Sequence, residues 1–168
     1  MKAVSRLILL AGLILLGRTA SAVDDVPAKA APAAVKPGYS VEIYDPKRDA
    51  AADLKLTIEK AKGKRILVQV GGDWCGWCHL MNKYFHENEK VAAALAKDFV
   101  IQKVNYSQEN QNKEFLSKYP AIKGYPHIFV LESDGTLLHS QNTEELEEGK
   151  GYSERAVLEF LAKWAPKR

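Results

Sequence analysis

From residue 49 onward the apolar positions fall into short blocks that alternate between helical and extended spacing. Asp49 to Ala61 sets Leu54, Leu56 and Ile58 among alanines and long polar side chains, which predicts a helix that Gly63 stops. Arg65 to Gly71 is a β-branched run of the length of a buried strand, ended by Gly71 and Gly72, with Asp73 starting a turn. Leu80, Met81, Tyr84 and Phe85 recur at helical spacing, and Asn88 to Lys97 gathers Val91, Ala92 and Leu95 on one face of a second helical piece. Phe99 to Val104 predicts the next strand, Gln111 to Tyr119 a short helix stopped by Pro120, and His127 to Leu131 another strand. Glu132-Ser133-Asp134-Gly135 reads as a hairpin turn into a return strand, Thr136 to Ser140. Ser153 caps a final helix whose buried stripe is Val157, Leu158, Leu161 and Trp164, and Pro166 ends it. Val41 to Tyr44 is a candidate for one further strand. The alternation, followed by a hairpin and a terminal helix, predicts an α/β fold: a central mixed sheet flanked by helices.

The first 38 residues follow a different pattern. Residues 1–22 read as a signal peptide, with Lys2 and Arg6 ahead of the apolar run Leu7 to Gly17 and the small-residue site Ala20-Ser21-Ala22 behind it. A spanning helix needs about 20 apolar residues, and Arg18 interrupts this run early, so cleavage near Ala22 is expected rather than retention as an anchor. The expected location is the periplasm or the outside of the cell. Residues 23–38 are Ala-rich with Pro27, Pro32 and Pro37, and read as a flexible extension; residues 39–168 form one domain without an internal repeat.

Export changes the charge argument. The chain carries 24 Lys and Arg against 21 Asp and Glu, but Lys2, Arg6 and Arg18 belong to the signal, and without them the count is 21 against 21. The basic balance therefore gives no reason to expect nucleic acid or an anionic membrane as a partner.

The chemistry concentrates in Gly72-Asp73-Trp74-Cys75-Gly76-Trp77-Cys78-His79, which holds both cysteines of the chain. Such a spacing serves a reversible disulfide, a metal site or, with the following histidine, haem attachment. An oxidising compartment permits disulfides, yet a loop of this size staples little of the chain, so a reactive use is favoured over a structural one. Cys75 falls at the first turn of a helix, where free backbone N–H groups and the dipole stabilise a thiolate. That thiolate attacks another protein's disulfide, and Cys78, on the same face, resolves the mixed disulfide. Gly76 allows a substrate backbone to approach, Trp74 and Trp77 offer apolar surface beside the sulfur, and His79 modulates the local charge.

Trp-Cys-Gly-x-Cys after a β-branched strand resembles the thioredoxin family, as does Gly124-Tyr125-Pro126 ahead of the His127 strand. The resemblance covers about residues 50–165. It implies a thioredoxin-like fold, Cys75 as attacking and Cys78 as resolving thiol, a cis-proline at Pro126 next to the dithiol, and backbone at Tyr125 that pairs with bound substrate. Two departures stand out. The family's buried acid, six residues before the first cysteine, is Gln69 here, and a glutamine cannot take the proton that Cys78 must lose. The lysine that pairs with that acid is retained as Lys103, which is left to stabilise a Cys78 thiolate electrostatically while water acts as base. Trp77 stands where the family usually has proline, in the dipeptide that tunes the potential.

Zinc wants four ligands, or three and water, and Cys75, Cys78 and His79 are too adjacent to form three corners of a good site. Haem attachment through Cys75-x-x-Cys78-His79 needs a distal ligand; Met81 lies too near His79 to reach the far side, which leaves His86, His127 or His139 for that place. Glu144 to Glu148 reads as a solvated loop or short helix. The expected function is thiol-disulfide exchange, reductase-like, with disulfides of exported proteins or a membrane redox partner. No cofactor or metal is implied, and a monomer is expected. The alternatives are a thioredoxin-like binding or chaperone domain without rapid turnover, and the haem anchor.

Overall fold

A computed structural model of the chain describes residues 43–167. The signal peptide and the extension expected over residues 1–38 lie outside the described residues, as do Val41 and Glu42. Ile43 and Tyr44 are not in a strand.

Local chemistry sets the element boundaries. The Asp49 carboxylate accepts the amide hydrogens of Ala51 and Ala52 at 2.8 and 3.0 Å and starts α1, Ala50–Ala61. The strand β1, Arg65–Gly71, buried from Ile66 onward, follows. The helices α2, Gly76–Glu87, and α3, Glu89–Asp98, meet at Asn88, whose backbone N–H bonds the Tyr84 carbonyl while its side chain takes the Val91 amide at 3.1 Å. One residue thus ends α2 and caps α3. Then come β2, Phe99–Asn105; a single turn α4, Lys113–Leu116; β3, His127–Leu131; β4, Leu137–Asn142; and a 3-10 helix, Thr143–Leu146. A two-residue ribbon, β5, Glu147–Glu148, and β6, Gly151–Tyr152, leads into α5, Glu154–Trp164. None of the helices among the described residues is long and apolar enough to cross a membrane.

The sheet order is β2-β1-β3-β4, with β1 parallel to β2 and antiparallel to β3. A mixed sheet flanked by helices is the α/β fold that the pattern predicts, and it agrees with the thioredoxin-like fold that the resemblance implies. Strand alternation divides the core into two layers. Ile66, Val68 and Val70 pack with Phe129, Leu131 and α1; Leu67 packs with Ile128, Val130 and the apolar faces of α2, α3 and α5. The register puts Gln69 opposite Lys103 and Gly71 opposite Asn105, so these pairs share the face that α2 covers.

Two elements differ from the pattern in their bounds. The helix expected over Gln111 to Tyr119 shrinks to α4, because asparagine side chains bind the preceding loop: Asn112 donates to the Asn105 carbonyl at 2.7 Å and Asn110 to that of Pro46 at 2.8 Å. The return strand begins at Leu137 rather than Thr136, whose amide is held in the turn by Asp134, and runs on to Asn142. Gly135 there has φ +92°, a left-handed conformation that favours glycine. Ser153 sits at the N-terminal cap of α5 without a side-chain cap bond, its carbonyl taking the Val157 amide at 3.0 Å. The acidic run from Glu144 begins in the 3-10 helix but continues as β5, with Leu146 buried.

His127, at the start of β3, is 3% exposed and bonds Ser140 through Nε2 at 2.8 Å, while its Nδ1 has no partner. Burial, with His139 contributing, lowers its pKa from 6.5 to about 4. The folded chain therefore binds fewer protons at this site than the unfolded chain over that interval. Its stability is complete above the unfolded value and falls as pH drops toward the folded one. Urea denaturation at about pH 7 and about pH 4.5 should show a loss from this residue on the order of 2 kcal/mol, absent in His127→Phe. Equal acid sensitivity in the two proteins would contradict the assignment.

Candidate active site

The end of β1 and the start of α2 are joined by a tight turn. The Cys75 amide donates to the Gly72 carbonyl at 3.0 Å, and Cys75, with extended backbone, becomes the N-cap of α2. Its sulfur accepts the Cys78 amide hydrogen at 3.1 Å. Cys75 and Cys78 are joined by a disulfide with Cα atoms 5.2 Å apart. Exposure distinguishes them: Cys75 is 6% exposed and Cys78 fully buried. Negative charge forming on Cys75 meets the free amides of the first helical turn, which is the condition for a reactive thiolate. A pair at disulfide distance in this fold is consistent with thiol-disulfide oxidoreductase activity.

Around the pair stands an aromatic rim. Trp74, 59% exposed, donates its indole N–H to the Tyr106 carbonyl at 2.7 Å and meets Tyr125 edge-on with centroids 5.6 Å apart. Tyr125 stacks on Tyr106 at 4.9 Å, and its hydroxyl is pushed up to about 12 by burial and by that neighbour. The Tyr125–Pro126 peptide is cis, and Tyr125 packs against the cysteine pair. The Pro126 carbonyl accepts the Thr143 hydroxyl. Trp77 is half-buried, edge-on to Tyr152 at 5.6 Å, while a Cβ at Gly76 would meet nothing within 4 Å. His79 Nε2 lies 2.9 Å from the Asp73 carbonyl oxygen and so carries the hydrogen that it donates. Beside Trp74 opens a cleft of about 510 Å³ lined by Tyr44, Asp73, Tyr106 and Glu109 among others.

Beneath the pair lies a buried polar cluster. Lys103 Nζ donates to Gln69 Oε1 at 2.7 Å, and burial lowers the lysine to about 7. Its ammonium also stands 5.5 Å from the ring centre of Tyr44. Tyr44 is 1% exposed and belongs to the same cluster as Cys75 and Cys78. Its place is fixed by Asp73, whose Oδ1 accepts the amides of Ile43 and Tyr44 at 3.0 and 3.2 Å.

Residues 49–133 match the family model described as thioredoxin-like. The chain belongs to the thioredoxin-like family. Over 83 residues it is 29% identical to the thiol:disulfide interchange protein DsbD of Salmonella paratyphi A, and equally to that of Escherichia coli K12; the match takes 49% of this chain and 14% of each DsbD. The chain thus spans a small part of the length of these curated relatives. Among solved structures, a disulphide isomerase from Xylella fastidiosa Temecula1 is 28% identical with a TM-score of 0.62, covering 72% of this chain and 95% of its own. The oxidised C-terminal domain of Neisseria meningitidis DsbD, 20% identical with a TM-score of 0.50 over 69% of this chain and 96% of its own, shares the fold.

The structure brings Trp74, Gly76, Trp77, His79, Tyr125 and Pro126 to one end of the sheet with the pair, and sets Gln69 and Lys103 in contact below it. Lys103 does not point to open solvent. Sequence reading missed Tyr44, Tyr106 and Tyr152. Tyr44 gives no periodic signal, since it reaches the motif through contacts distant in sequence, the Asp73 carboxylate and the cysteine pair; Tyr106 is signalled solely by its position at the end of β2.

The tightest packing is at Gly71. A Cβ there would lie 2.6 Å from Cys78 Sγ and 2.9 Å from both Cζ and the hydroxyl oxygen of Tyr44. Gly71→Ala should therefore cost about 1–3 kcal/mol of stability in the oxidised protein, read as a lower denaturation midpoint. An unchanged midpoint would mean that the pocket yields freely.

Proposed function

We propose that this protein is an exported thiol-disulfide oxidoreductase that acts as a reductase on disulfides of other exported proteins. The observation that carries the reading is the asymmetry of the pair: Cys75 at the start of α2, with its sulfur at the helix amides, and Cys78 behind it without exposed surface. In the reduced protein the Cys75 thiolate attacks one sulfur of a substrate disulfide and displaces the other as a thiolate. Cys78 then attacks Cys75; the intramolecular S–S bond forms, the mixed disulfide breaks, and the substrate keeps both electrons. The substrate segment lies along the Tyr125–Pro126 backbone and over Trp74, and the bare Gly76 leaves room for its main chain. His79 ties the turn at Asp73.

The sequence of residues 1–22 supports export into the periplasm or beyond, with residues 23–38 as a spacer before the domain. The likeness to interchange proteins supports a partner that exchanges disulfides with the pair, which on this reading is a membrane redox protein that supplies the electrons. For a haem anchor both sulfurs would have to form thioethers, whereas here they are bonded to each other and His79 Nε2 is engaged at the Asp73 carbonyl.

Cys75→Ser should reduce insulin disulfides only at the background rate, while Cys78→Ser should accumulate mixed disulfides that gel electrophoresis separates under non-reducing conditions. Activity retained by Cys75→Ser would refute the mechanism. Equilibration with glutathione buffers should give a potential nearer to the roughly −270 mV of thioredoxin than to the roughly −120 mV of DsbA; a value near the latter would make the protein an oxidant.

A further inference from the structure

Two buried polar groups at this end of the sheet face each other without a well-formed hydrogen bond: the Tyr44 hydroxyl, in the cluster of Cys75 and Cys78, and the Gln69 Nε2 amide, near enough to lower the tyrosine's pKa and unable to accept the hydroxyl hydrogen. Both lie on the Cys78 side. Gln69 Oε1 is occupied by Lys103 at 2.7 Å, which fixes the orientation of the amide and turns its N–H group away from the lysine, toward Tyr44. The Tyr44 oxygen and the Cys78 sulfur flank one point, the place a Cβ at Gly71 would take. Unpaired buried donors are costly, and each calls for an explanation. A disulfide sulfur accepts hydrogen bonds poorly. A thiolate accepts them strongly.

We propose that Tyr44 is a further catalytic residue: its hydroxyl donates a hydrogen bond to the Cys78 sulfur when the pair is reduced, oriented by the Gln69–Lys103 pair behind it. The proposal rests on the exchange chemistry given above and concerns its resolving step. As Cys78 is deprotonated, its proton passes to water and the Tyr44 O–H turns onto the thiolate. Cys78 then attacks Cys75 Sγ, the intramolecular bond forms, the bond to the substrate breaks, and the electron pair leaves on the substrate sulfur. With the sulfur again in a disulfide, the hydroxyl loses its acceptor, which is the state the structure holds. Burial pushes the Tyr44 hydroxyl well above its ordinary range, so it stays a donor throughout. Gln69, which cannot accept a proton as the family's acid does, takes a different part here: it aims the tyrosine. The other titratable groups facing this pocket are Lys103 from β2, Asp73 at the turn and Tyr152 from β6, with His79 of α2 bonded to the Asp73 carbonyl behind the turn.

Tyr44→Phe separates this role from packing, because it keeps the ring. The glutathione equilibrium of the variant should move about tenfold toward the oxidised form, since the reduced state alone loses a bond. In the Cys75→Ser background, iodoacetamide titration of Cys78 should show its midpoint shifted to higher pH by Tyr44→Phe and by Lys103→Met. The unfolding temperature of oxidised Tyr44→Phe should be lowered less than that of the reduced variant, because the bond to Cys78 exists only in the reduced state. An unmoved equilibrium and Cys78 midpoint would overturn the proposal, as would an equal loss of stability in the two redox states. The titration needs no substrate, so its failure is distinct from a failure of the parent protein to reduce insulin, which would count against the reductase reading alone.

Discussion

The structure depends on β1 being paired on both edges and covered on both faces. Six of its seven residues are buried, and such a strand has no freedom of register, because a slip of one residue would send Gln69 and the valines to the wrong layers. The fixed strand delivers Gly71 and Gly72 at a defined point, and the turn after them can only start α2 there. Reactivity at Cys75 is therefore a property of the sheet as much as of the cysteine. The sulfur meets helix amides because β1 ends where it does, and Cys78 is buried because α2 lies over the layer that Leu67 begins.

The same strand brings a liability under control. Gln69 sits among apolar neighbours, and a buried amide without partners would cost more than it contributes. Parallel pairing with β2 supplies Lys103 in register, and the lysine is itself desolvated. Neither polar side chain would be tolerated alone in this layer. Their pairing turns the free amide face toward the Tyr44 hydroxyl, which lies beside the cysteine pair.

Legibility from sequence followed the range of the interactions. β1 and β3 were readable because buried strands are compact apolar runs with sharp glycine or proline edges, and the cysteine pair because its spacing alone carries chemistry. The Gln69 departure was readable by counting back from Cys75. The short α4 was not, since its extent is set by Asn110 and Asn112 bonding carbonyls from other segments. Ser153 was placed correctly as a cap position, yet its hydroxyl plays no capping part. Tyr44 was invisible as a site residue. It lies 31 positions before Cys75 in a segment without periodicity, and a single carboxylate from the motif's own turn recruits it.

Trp74 shows how an exposed aromatic can differ from a merely exposed one. Its indole N–H is bonded to the Tyr106 carbonyl and its ring rests against Tyr125, which in turn stacks on Tyr106. A large side chain that lies in water with its rotamer already chosen has little left to lose when another surface covers it. Association penalties arise mainly from freezing such freedom. On the proposed substrate-binding role the rim is a preset template, and the conformational adjustment falls on the incoming chain.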